Sequence, residues 1–262
     1  MLRSLRVLSV TIVVVFLTAV LGAMPAAANH SWNGYHWART TNPFTVQLGD
    51  NVSGLWDGML VTASNDWSQS TDLDTPIVAG GTKGKPCRPT SGRVEVCSAT
   101  YGNTGWLGLA QIWITGGEHI VQGVVKNNDY YFGTSSYQYN NTAEMQHVIC
   151  QEIGHTFGLD HQSTSGASLN TCMDYYHNTT ASDTKSTHPN NHDYDELATI
   201  YTHLDSFSTV GAAASRASPL GTPGADDDGT PIGASPEHGS WYVQELGGGR
   251  FIFTHVYWAP GR

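Results

Sequence analysis

The chain carries little charge, and one sign of it is scarce. Only 13% of its 262 residues are Asp, Glu, Lys or Arg, and 12 basic residues stand against 22 acidic ones. That acidic balance argues against nucleic acid and anionic membrane surfaces as partners. Cysteine is also sparse. There are four, with no Cys-x-x-Cys spacing, which argues against a thiolate metal knuckle. No apolar run after residue 28 is long enough for a bilayer-crossing helix. No internal repeat is present, which excludes solenoids and propellers.

The first 28 residues have the composition of a targeting segment. Arg3 and Arg6 form a basic start, Leu8 to Leu21 is apolar, and Ala26-Ala27-Ala28 supplies small residues before a cut at Ala28–Asn29. Residues 1–28 are therefore read as a cleaved secretory signal peptide, leaving 234 of the 262 residues for an extracellular, secreted protein. The segment has two arginines and no acid, so its removal moves the formal net charge from −10 to −12. In an oxidising compartment four cysteines imply two disulfides. Cys87 and Cys97 flank a Pro-, Ser- and Gly-rich stretch, so a local closure is natural, and Cys150 is then left to pair with Cys172.

Hydrophobic patterning predicts an α+β domain over residues 29–206. Phe44–Leu48, Thr75–Ala79, Arg93–Ala99, Trp106–Thr115 and His119–Lys126 read as strands. Leu55, Met59, Ala63 and Trp67 fall at four-residue steps and make 54–69 an amphipathic helix. Asn141 caps a second helix, with Glu144 as its capping-box partner, and Met145, Val148, Ile149 and Ile153 form its buried face. Residues 130–139 read as loop, and a last helix follows Pro189. Residues 207–238, rich in Ala, Ser, Pro, Gly and Asp, read as a linker. Residues 239–262 read as a β-hairpin whose aromatics pack onto the domain or a partner.

The chemistry concentrates in Gln151-Glu152-Ile153-Gly154-His155-Thr156-Phe157-Gly158-Leu159-Asp160-His161. On a helix, positions 151 and 155 share one face and can hold one cation. Glu152 is rotated beside that face, where a carboxylate can take a proton from an activated water. Gly158 lets the chain reverse and bring His161 back. Zinc in a catalytic site takes three protein ligands and a water, so Gln151, His155 and His161 are the candidate ligands and Glu152 the candidate general base. Glutamine offers only a neutral amide oxygen, a weaker zinc donor than imidazole. His147, one turn earlier, either contacts the Gln151 amide as an outer partner or is an ordinary helix histidine. His177, His188 and His192 read as loop surface. Asn51, Asn140 and Asn178 each head an Asn-x-Ser/Thr triplet.

This run, followed by Cys172-Met173-Asp174-Tyr175, resembles the metzincin metalloproteases (matrixins, astacins and serralysins), with Gln in place of the first histidine of the long zinc motif. The resemblance implies a mixed twisted sheet, an active-site helix, a Met-turn with Met173 under the metal, and a C-terminal helix. It implies Zn2+ as cofactor, Tyr175 as an auxiliary catalytic group, and a protein or peptide substrate lying along an edge strand, for which 118–126 is the candidate. The expected function is a secreted zinc endopeptidase. The alternative is a secreted, catalytically dead binding protein on the same fold.

Overall fold

In the computed structural model, residues 29–211, 230–235 and 238–261 are described. Residues 1–28, read above as a signal segment, and most of the expected linker lie outside them. In chain order the elements begin with β1 (His36–Trp37), β2 (Phe44–Thr45), β3 (Leu48–Asn51), α1 (Asp57–Trp67), β4 (Leu73–Asp74) and β5 (Ile77–Ala79). Next come β6 (Val94–Ala99), β7 (Trp106–Thr115), β8 (His119–Asn128), α2 (Asp129–Phe132) and α3 (Thr142–His155). The chain closes with α4 (Asn191–Ile200), β9 (Thr230–Ser235), β10 (Gly239–Gly247) and β11 (Arg250–Trp258). The result is a mixed α/β molecule with few helices, and no helix among the described residues is long and apolar enough to cross a membrane.

Nine strands form one sheet in the order β5-β3-β6-β8-β7-β11-β10-β9, with β1 joined to β8. The half containing β3, β5, β6 and β8 is parallel; from β7 onward every pairing is antiparallel. Parallel strands are covered on both faces, and β8 is accordingly buried from Ile120 through Asn128. This overturns the expectation for 118–126: β8 lies between β6 and β7 and is not an edge.

The expected C-terminal hairpin is present, as β10 on β11, and it packs onto the domain. It is no appendage, because β11 runs antiparallel along β7 from the Phe251–Ile114 pair to the Trp258–Trp106 pair. A lone hairpin is marginal in water. Here Ile252, Phe253, Val256 and Tyr257 become buried, at about 1.5–3 kcal/mol for each large apolar side chain, so docking decides its stability. Part of the predicted linker is ordered as well, since β9 within 207–238 adds a strand to β10. The 130–139 loop starts with the one-turn helix α2.

Disulfides Cys87–Cys97 and Cys150–Cys172 are both present. The second joins α3 to the segment before Met173. Such bridges, with no membrane-length helix, are compatible with an exported protein.

Candidate metal centre

Helix α3 starts where predicted and is capped by Asn141, but without the reciprocal half of the capping box. The Asn141 side-chain oxygen Oδ1 accepts the N–H groups of Ala143 and Glu144, both at 3.0 Å. Glu144 does not return the bond. Its carboxylate accepts from His177 Nδ1 and from the Asn178 N–H, each at 2.6 Å. His177 is therefore not loop surface; its side chain is 11% exposed and held by that carboxylate. His188 does stand half in solvent, paired with Asp66 at 2.6 Å, and His192 stacks on His30. Asn178 is buried, with its amide donating to the carbonyls of Asp183 and Lys185. A glycan could not be attached there in the folded state.

Every residue of α3 from Ala143 to His155 is buried. The helix ends at His155, and Gly158 turns the chain with φ +93°. A Cβ at Gly158 would sit 1.9 Å from the Tyr35 carbonyl oxygen, so only glycine fits. The reversal carries His161 back to His155. His155 Nδ1 donates to the Leu159 carbonyl at 2.8 Å, and His161 Nδ1 donates to the Asp160 carboxylate at 3.0 Å. Both partners are acceptors only, so each neutral ring keeps its lone pair on Nε2. Those two Nε2 atoms face each other at 3.1 Å. Neither has a proton to offer the other. In a tetrahedral site with metal–nitrogen bonds of about 2.0–2.1 Å, ligand atoms lie roughly 3.3 Å apart. The pair fits a shared cation.

A third imidazole joins them, and the linear motif did not announce it. His155, His161 and His255 each bring one ring nitrogen within 4.8 Å of the others. His255 comes from β11. Its Nδ1 bonds Glu152 Oε2 at 3.1 Å, and the Tyr175 hydroxyl bonds its Nε2 at 3.2 Å. All three rings thus have Nδ1 on an oxygen, the usual outer support of a metal-bound histidine. A sequence signal for His255 existed. Phe251, Phe253, His255 and Tyr257 alternate onto one face of the strand, and the aromatics among them were expected to pack inward.

Burial sets the electrostatics. It lowers the pKa of His155 strongly, with His255 and His161 adding repulsion. It lowers that of His161 against the opposing pull of Asp160, and brings His255 down to about 3. The rings are neutral; the Nε2 lone pairs of His155 and His161 are unengaged, while that of His255 accepts the Tyr175 hydroxyl and can meet a cation only once that hydroxyl turns away. Burial also raises the pKa of Glu152 well above the ordinary carboxylate range. Glu152 Oε1 is buried with no hydrogen-bond partner among the described residues.

Gln151 Oε1, the atom expected to meet the metal, is buried with no hydrogen-bond partner among the described residues, and the rest of the Gln151 amide is fixed. Its amide nitrogen donates to the carbonyls of Cys172 (2.9 Å) and Asp174 (2.6 Å), on either side of Met173. His147 Nε2 reaches the same Asp174 carbonyl at 3.0 Å. Gln151 Nε2 and His147 Nε2 are 3.4 Å apart, but both donate to one acceptor and do not bond each other. Met173 is fully buried, and its carbonyl accepts the Gln162 N–H at 2.7 Å. Tyr175 stacks on His161 with ring centres 4.0 Å apart. Gly239 lies so close that a Cβ there would be 2.1 Å from the Tyr175 hydroxyl. Trp241 covers the cluster, 4.5 Å from His255 and 4.9 Å from His155, and Trp32 backs it at 4.1 Å.

Among solved structures the chain is similar to that of myroilysin, at 11% sequence identity and a TM-score of 0.35, over 66% of this chain and 98% of that one. At that score the likeness carries no argument. No family model and no curated protein matches the chain.

Proposed function

We propose that the chain is an exported metal-dependent endopeptidase of metzincin type, with zinc held by His155, His161 and His255. The observation that carries this reading is the pair of proton-free Nε2 atoms at 3.1 Å, beside a buried carboxylate with one unpartnered oxygen. A bound zinc ion supplies Lewis acidity toward water and the scissile carbonyl. The protein's own groups do the rest. Glu152, raised in pKa by burial, accepts the proton of the attacking water and returns it to the leaving amine. The Tyr175 hydroxyl, which bonds His255 Nε2 in this structure, would be released when that nitrogen meets the metal and would then donate to the developing oxyanion. Gln151 and His147 brace the Met173 turn through the Asp174 carbonyl instead of serving as ligands. The first ligand position of the motif is then filled from β11.

One observation favours the second reading, a binding protein on this fold. Strand β8, the strand expected to receive an extended peptide, is paired with β6 and β7, and β7 is in turn paired with β11 from Phe251 to Trp258, so no free edge stands there for a peptide to join.

The test is hydrolysis of a quenched-fluorescent peptide library by the zinc-loaded full-length protein. Glu152→Gln should keep the metal and lose activity by at least about a hundredfold, the scale of a general base. Equal activity in the variant overturns the mechanism. Absence of hydrolysis in metal-loaded wild type favours the binding reading.

A further inference from the structure

A second group of histidines lies outside this centre. His36 is in β1, His119 opens β8, and His203 and Asp205 follow α4. The parallel register of β1 on β8 sets His36 directly beside His119. The segment after α4 is drawn to the same place by Arg39. The Asp205 N–H bonds the Arg39 carbonyl at 2.9 Å, and Asp205 Oδ2 accepts both the Arg39 N–H and its guanidinium at 3.1 Å. The guanidinium also reaches the His203 carbonyl. One carboxylate oxygen is thereby fixed by Arg39, and Oδ1 is left to face the imidazoles.

Three imidazole nitrogens surround Oδ1. His119 Nε2 lies at 3.2 Å, His36 Nε2 at 3.7 Å and His203 Nε2 at 3.8 Å from it. His36 Nε2 and His203 Nε2 are 3.2 Å apart. A tetrahedron with bonds of about 2.0–2.1 Å has six edges of roughly 3.3–3.4 Å, and these four distances bracket that value. His36, His203 and Asp205 already group within 4.8 Å, while His119 groups with His36 and Glu118, so a shared ion would draw the His119 ring inward to complete the shell. His36 Nδ1 donates to the Gly34 carbonyl at 2.8 Å, which leaves its lone pair on Nε2. Each fixed outer contact, Gly34 on His36 and Arg39 on Asp205, orients a donor atom inward.

We infer that His36, His119, His203 and Asp205 form a second cation site, closed and structural, that binds zinc. Three imidazoles and one carboxylate suit zinc. They do not suit calcium, which takes six to eight oxygens. Four protein ligands leave no open position, so the site would serve to join the N-terminal strand, the β7–β8 turn and the chain leaving α4. It does not depend on the peptidase reading.

The experiment is zinc titration of the chelator-stripped full-length protein against a chromophoric competitor. Wild type is expected to bind two equivalents, His203→Ala one, His155→Ala one, and the double variant none. His203 is chosen because its side chain is 55% exposed, so its loss leaves the fold in place, checked by circular dichroism. His119→Ala provides an independent second variant and should also lose one equivalent. Two equivalents retained in both His203→Ala and His119→Ala would overturn the inference, as would a wild type holding one equivalent that both variants keep. Wild type holding one equivalent that His203→Ala and His119→Ala each lose would sustain it while removing the metal from the peptidase reading.

Discussion

The molecule holds two histidine clusters with opposite designs. The inner one is three buried imidazoles with a carboxylate, Glu152, bonded to a ring instead of standing among the candidate ligands. The outer one is three imidazoles with a carboxylate, Asp205, standing among them. In the two proposed metal sites the number of protein donors decides what each could do. Three leave a position for water and substrate; four close the shell. Position of the acid matters equally. Asp205 has one oxygen fixed by Arg39, whereas Glu152 keeps a buried oxygen unpartnered, which the proposed mechanism uses to carry a proton.

The sharpest break of this comparison comes from His255 and Gln151. His255→Ala should weaken zinc at the inner cluster by more than the roughly 10–100-fold that loss of an outer partner costs, and Gln151→Ala should fall within that range. The chelator competition assay, with His203→Ala as background, reads both. The reverse order would return Gln151 to the ligand set. Gln151→His should bring little gain, because the site already has three imidazoles. A large gain would show that β11 does not supply a ligand.

The support of the inner cluster is next in size. Replacing Cys150 and Cys172 together by alanine should cost about 3 kcal/mol, the loop-closure scale for a bridge spanning 22 residues. Urea unfolding measures it, and a loss under about 1 kcal/mol would mean that packing alone positions the Met173 turn. Zinc should stabilise wild type at the outer site by about 2.7 kcal/mol when present at a hundred times its dissociation constant. His203→Ala should lose that increment while retaining its metal-free stability. Smallest is the cap of the metal helix. Asn141→Ala should cost about 1 kcal/mol, since it leaves the Ala143 and Glu144 N–H groups without their acceptor.

The inner site was legible in sequence to the extent that its parts are close in the chain. The helix, the Gly158 reversal, His155 and His161 all follow from spacing within eleven residues. The strands from Val94 to Asn128 were readable from apolar runs, with ends off by a residue or two. What sequence could not carry was pairing. Nothing in residues 250–258 says that they lie on β7, because an alternating strand fits any open edge with an apolar face. His255 was therefore invisible as a neighbour of His155, and β8 was mistaken for an edge. Glu144 had the right offset for a capping box, but His177 and the Asn178 N–H, more than thirty residues on, hold its carboxylate in the fold. The outer cluster draws on positions 36, 119, 203 and 205, which no local spacing connects.

The central claim is that the third ligand of the inner site comes from β11. Anomalous diffraction at the zinc absorption edge, on crystals of the full-length zinc-loaded protein, tests it most directly. The account predicts an anomalous peak with one nitrogen each of His155, His161 and His255 at about 2.0–2.1 Å. A peak bound by His155, His161 and the Gln151 amide oxygen, with His255 outside bonding distance, would contradict it.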